Sequence, residues 1–255
     1  MGVIRPLLTT LGLLLAWQIL VWATGVPPFI LPGPLAVARV LIARFDLLAG
    51  HAATTAMEIL LGIVLGSLVG GSSAVLLAAS RPLRRWLLPL LVISQALPVF
   101  ALAPLLVLWL GYGMASKVAM AVLIIFFPVT AAFYDGLRRT EPAWLELARI
   151  MDAKPAAVLL RIRIPAALPA LASGLRVAAS VAPIGAVVGE WVGSSAGLGF
   201  LMLHANARMQ IDVVFAALFL LALMATGLYF ALDRLLSRIV YWQKETLEDG
   251  TENGR

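Results

Sequence analysis

The sequence predicts an all-α, polytopic membrane helix bundle, and three observations carry that prediction. Hydrophobic residues fill 62% of 255 positions and mean hydropathy is +1.00, whereas soluble domains hold about 45–50% apolar residues. The apolar residues also fall into six runs, each long enough to cross a hydrocarbon core of about 30 Å at 1.5 Å per residue. Finally, the basic residues sort by side. Arg5, Arg81 to Arg85, Arg138 through Arg163, Arg234, Arg238 and Lys244 lie on one face of a six-span arrangement, while Arg39, Arg44, Lys117 and Arg208 lie on the other. By the positive-inside rule both termini are expected in the cytoplasm. The net charge of +6 is therefore topological, since no detached basic domain points to nucleic acid. With no cysteine in the chain, disulfides, thiolate catalysis and cysteine metal sites are excluded.

The first span is expected over Pro6 to Thr24. Its length and the lack of a small-x-small cleavage site argue against a signal peptide. Residues 25–51 carry four prolines and then a modest helical pattern, which predicts an extended turn leading into an interfacial helix. In the second span, Ala52 to Ala79, Gly62, Gly66 and Gly70 recur every fourth residue and form a face for close helix approach. The third, Leu87 to Leu110, holds Pro89, Pro98 and Pro104 with Ser94 and Gln95. Its backbone must be irregular, which is tolerated at membrane depth only under protein cover or beside a watery cavity. A fourth span is expected over Val118 to Tyr134. The fifth, Ala167 to Val192, contains Arg176, and Gly185 and Gly189 supply a second close-approach face. Arg costs about 2.5 to 3.5 kcal/mol at mid-membrane and each good apolar residue returns only about 0.3 to 0.6, so this helix belongs inside the bundle. The sixth, Val213 to Leu236, is the greasiest and is expected to face lipid. The expected domain is thus 1–242, followed by a polar, disordered tail over 243–255.

Between spans four and five lies a charged island, with Glu146, Arg149, Asp152, Lys154, Arg161 and Arg163 interleaved with apolar residues at helical spacing. Asp152 and Pro155 divide it. A first short helix should end near Asp152 and a second begin near Pro155, with Lys154 at its cap. The pattern Glu146-Leu147-Ala148, three residues, Asp152, nine residues, Ile162-Arg163-Ile164-Pro165 resembles the EAA loop of bacterial ATP-binding-cassette importer permeases. Leu147 and Asp152 stand where that pattern has alanine and glycine. Asp is one of the few non-glycine residues that enter left-handed backbone, so the turn is expected to survive.

QALPVFALAPLLVLWLGYG and GEWVGSSAGLGFLM are similar to signatures of the branch serving aliphatic sulfonates, taurine, nitrate and thiamine precursors, and the run around Glu190 is most similar to hydroxymethylpyrimidine permeases. The resemblance implies a six-span type I importer permease in the bacterial inner membrane. It would act as a homodimer with two cytoplasmic ATPase subunits and an external solute-binding protein that delivers a small molecule. Its coupling segment, 141–165, would engage the ATPase through Glu146, Leu147, Ala148, Arg149, Asp152, Ala153, Lys154, Ile162 and Pro165.

No phosphate-cradling loop is present, because Lys117, Lys154 and Lys244 follow Ser, Ala and Gln, so any ATP must be hydrolysed by another chain. No cofactor, metal site or catalytic set is expected. His51 and His204 read as interfacial or loop residues. The intramembrane polar residues Gln95, Arg176 and Glu190, with Pro98 beside the first, are candidates for the translocation path. For Arg176 a structural ion pair, with Glu58 as partner, is the equal alternative. A stand-alone secondary transporter would need an ion-coupling site and inverted repeats, and a membrane enzyme a convergent catalytic set; the sequence displays neither.

Overall fold

The computed structural model describes residues 4–242, with side chains from Leu8 onward. All regular structure among the described residues is helical. Helix α1 (Ile4–Thr24) ends at Gly25, whose φ of 59° lies in the left-handed region that glycine enters freely, and a run of prolines keeps the chain non-helical until α2 (Pro34–Ala43). The chain turns at Arg44 into α3 (Phe45–Ala79). This helix starts well before the expected Ala52, because nothing from Asp46 onward breaks it and Asp46 sits in its first turn, where a negative charge favours the helix dipole.

The third expected span is two helices, α4 (Arg81–Ala96) and α5 (Val99–Leu110), meeting at an angle of 102°. Of its three prolines only Pro98 breaks the chain. It forces Leu97 out of the helical region, to ψ 123°, whereas Pro89 and Pro104 sit inside their helices. Helix α4 also starts earlier than expected, since the Ser80 hydroxyl accepts from the Leu83 amide (3.4 Å) and a proline follows at the first turn.

The centre of the bundle is α6 (Met114–Arg138), packed along α3 on one side and α9 on the other. Small residues set both approaches. A Cβ at Gly66 would stand 2.6 Å from Ile125 Cγ2, one at Gly70 2.7 Å from the Phe126 carbonyl, and one at Gly185 2.8 Å from Ala121 Cα. Gly62 meets Ala121, and Gly189 meets Lys117. After α6 come the short helices α7 (Pro142–Ile150) and α8 (Pro155–Val158), and then one wide π turn over Leu159–Arg163 leads directly into α9 (Ile164–Gly193). A short α10 (Leu198–Ala207) precedes α11 (Ile211–Ile239).

Two apolar clusters mark the ends of the bundle. Ala74, Leu77, Phe133, Leu137 and Ala167 close the arginine-rich end, while Leu48, Val187, Leu198 and Ala216 hold α10 at the other. Four helices are long and apolar enough to cross a membrane, and the bent α4–α5 pair makes a fifth. The apolar stretch described in α1 is Leu8–Thr24, and the described residues hold up to five spans against the six expected from the sequence. Of the four continuous spans, α11 is the most apolar and the least buried, as its sequence predicts. The expected tail over 243–255 falls outside the described residues.

Candidate functional site

Two places concentrate the residues singled out from the sequence: the exposed turn between α6 and α9, and a buried polar knot at the opposite end.

In the exposed turn, Pro142 stands at the start of α7, where its missing N–H costs nothing. At the other end of α7 the Ala153 amide donates to the Ala148 carbonyl (3.0 Å) and the Asp152 amide to the Arg149 carbonyl (3.1 Å), while Asp152 itself adopts φ 51°. That pair of bonds with a left-handed residue is a Schellman cap, and it stops the helix where glycine ordinarily would. Lys154 then caps α8, and its carbonyl accepts from the Val158 amide (3.0 Å). Of the expected coupling residues, Ala148 is buried and Ile162 half-buried, whereas Glu146, Leu147, Arg149, Asp152, Ala153, Lys154 and Pro165 are exposed. Ile150, 82% exposed, stands beside Leu147 and Met151 on an apolar face that this chain leaves uncovered. Next to it a cavity of about 560 Å³ opens between Trp144, Leu147, Met151, Ile162, Pro165 and Trp242.

The polar knot is built on Glu190. Its carboxylate accepts from the Thr55 hydroxyl (2.6 Å) and from the backbone amides of Gly199 and Phe200, the first turn of α10. Thr55 accepts in turn from the Leu198 amide (2.8 Å), and the His51 Nδ1 accepts from the Gly197 amide (3.0 Å). Four successive amides at the head of α10 thus find side-chain acceptors on α3 and α9, which satisfies the donors that a helix start leaves open. Gly197 makes this possible with φ 112°, and a Cβ there would collide with the Glu190 carboxyl. Glu58, 1% exposed, lies beside Glu190 and within electrostatic reach of Lys117. The Lys117 ammonium donates to the carbonyls of Tyr112 (2.8 Å) and Gly113 (3.0 Å).

The remaining path candidates lie apart from this knot. Arg176 pairs with Asp233 (2.6 Å), which joins α9 to α11 and replaces the expected Glu58 partner: Glu58 lies with the Glu190 group instead. Gln95 and Pro98 sit at the α4–α5 break, where Gln95 is exposed and reaches only the neighbouring Ser94 hydroxyl (3.5 Å). Among the described residues Gln95, Arg176 and Glu190 share no hydrogen bond or ion pair. His51, Thr55, Lys117 and Asp233 were not singled out from the sequence as functional. A signal existed for the first two: His51, Thr55 and Glu58 extend the four-residue stripe of Gly62, Gly66 and Gly70 along one face of α3. No cluster of histidine and carboxylate ligands suited to a metal occurs among the described residues.

A bundle of apolar spans with one broken span, a short helix latched at one end and an exposed helical turn between two spans has the build of a polytopic membrane protein. The chain belongs to the family of binding-protein-dependent transport system inner membrane components, which it matches over residues 60–241. It is 58% identical over 238 residues to a probable ABC transporter permease protein of Haemophilus influenzae, covering 93% of this chain and 97% of the relative. It is 36% identical to a formylaminopyrimidine transport permease of Halalkalibacterium halodurans (95% and 97% covered) and 37% identical to a riboflavin transport system permease of Chloroflexus aurantiacus (92% and 88%). In fold it resembles a chain of the inward-facing MetNI methionine ABC transporter, with a TM-score of 0.68 at 20% identity over 78% of this chain and 98% of that one. It is the permease subunit of an ATP-binding-cassette importer.

Proposed function

We propose that this permease imports a thiamine-precursor pyrimidine, working as a homodimer in the inner membrane with two cytoplasmic ATPases on the 141–165 segment and an external solute-binding protein opposite. The observation that carries the coupling role is the uncovered apolar face of α7, with Leu147, Ile150 and Met151 turned to solvent on a rigidly capped helix between two spans. An apolar face of that kind is buried by a partner or not at all. In this reading the permease hydrolyses nothing. ATP closes the ATPase pair, the cleft carries α7 and α8 with it, and α9, continuous with α8 through the π turn, transmits the movement to the path. Helix α5 leaves Phe100, Leu108 and Trp109 exposed, which suits contact with a second copy across the path. The broken α4–α5 span, with Gln95 and Pro98, is the element assigned to the path; irregular backbone there fits a protein-lined cavity. Arg176 serves as a structural tie to Asp233.

The substrate class rests on similarity to the formylaminopyrimidine permease, and the rival cargoes are sulfonates, taurine and nitrate. Uptake by the full importer in liposomes tests it: a hydroxymethylpyrimidine should accumulate with ATP and taurine should not, and the reverse would reject the assignment. Co-purification tests the coupling role separately. Replacing both Leu147 and Ile150 with Glu should strip the ATPase from an otherwise intact permease.

A further inference from the structure

At the arginine-rich end, α4 and α6 enclose a cavity of about 450 Å³ that the transport reading does not use. Arg84 and Arg85 reach it from α4 and Arg138 from α6, over a floor of Leu88, Pro89 and Tyr134. Arg138 lies over the Tyr134 ring, its guanidinium carbon 5.6 Å from the centroid, which fixes its plane at the cavity wall. One carboxylate is near: Asp135 pairs with Arg138 at 3.7 Å, with both side chains more than half exposed. Among the described residues Arg84 and Arg85 have no ion pair, so of the three guanidinium groups only that of Arg138 meets a carboxylate. Like charges held around one cavity repel, and an anion placed between them relieves that repulsion. Guanidinium forks match the oxygens of a phosphate group in particular.

The floor narrows the source. Leu88 and Pro89 are apolar and exposed, and Trp86, 78% exposed on the same helix, is the residue type that settles at the membrane–water boundary. A phosphate carried on acyl chains would meet the arginines with its head and the leucine and proline with its tails. A free phosphate ion would use only the first.

We infer that the cavity between Arg84, Arg85 and Arg138 binds the phosphate headgroup of an anionic phospholipid. The intact importer in detergent, titrated with phosphatidylglycerol or phosphatidylcholine and followed by native mass spectrometry, tests this. Phosphatidylglycerol should bind more tightly than phosphatidylcholine, and its binding should weaken as ionic strength rises. Removing one arginine should weaken it about fivefold, and Arg84→Gln with Arg138→Gln should weaken it further than either change alone. The double Lys variant keeps the charge and guards against misfolding: it should retain phosphatidylglycerol better than the double Gln variant. Arg238→Gln, outside the cavity, should change nothing. Equal binding of the two lipids, or equal retention in the double Gln and wild-type proteins, would overturn the site. Displacement of the lipid by an equal concentration of inorganic phosphate would overturn its assignment to a lipid.

Discussion

Single residues set the distances in this bundle. At Gly66 a side chain would have to enter space held by Ile125, 2.6 Å from its Cγ2 and 2.8 Å from its Cβ, so α3 and α6 would have to part. Gly71, one residue beyond the stripe, has nothing within 4 Å of such an atom. Gly66→Ala should therefore cost about 1–3 kcal/mol in thermal or denaturant unfolding of the purified permease, as overpacking does. Gly71→Ala should be neutral or slightly stabilising, as alanine is the better helix former. At Asp152 the left-handed φ of 51° makes a similar comparison possible. Asp152→Gly should preserve ATP-driven uptake, whereas Asp152→Val should reduce it, because a β-branched residue resists that geometry by about 1–2 kcal/mol and would unwind the end of α7. Equal uptake in the two variants would separate the cap from coupling.

At the scale of elements, the legible features were those with a local period. The glycine stripe on α3, the proline break before α5 and the divided island at Asp152 and Pro155 each follow from residues close together in sequence. The Glu190 knot does not. Its carboxylate stood out as a charge in an apolar helix, but its partners are backbone amides, which every residue possesses and no sequence pattern marks. Arg176 and Asp233 were equally opaque, because 57 residues separate them and Asp233 sits near the polar end of α11, where a carboxylate needs no explanation. The first helix, Ile4–Thr24, runs almost as its apolar composition from Pro6 to Thr24 predicts. The knot itself makes a prediction about α10. Glu190→Ala leaves the Gly199 and Phe200 amides and the Thr55 hydroxyl without this acceptor, a loss of about 1–3 kcal/mol for buried donors left unsatisfied. Because the chain has no cysteine, a single one placed at buried Leu198 gives a clean report. A membrane-impermeant maleimide should label it in the Glu190→Ala background and leave it unlabelled with Glu190 present. Protection in both would mean that packing alone holds α10.

For the whole molecule, the architecture is a rigid centre with two free surfaces. Close glycine contacts lock α3, α6 and α9 together, while α4 and α5 meet at a bend of 102° and α7 leaves an apolar face exposed. A transporter built this way would move as packed bodies rather than by melting, with the exposed helical turn as its input and the broken span as its output. The most direct measurement places a single cysteine at Gln95 in the reconstituted importer and follows its reaction with an impermeant reagent added from the binding-protein side. With ATP trapped on the ATPases, labelling should rise over the nucleotide-free state, and substituting Glu at Leu147 and Ile150 should abolish the rise while leaving the bundle folded. A nucleotide-dependent rise that survives those substitutions would show that the movement reaches the path by some other route.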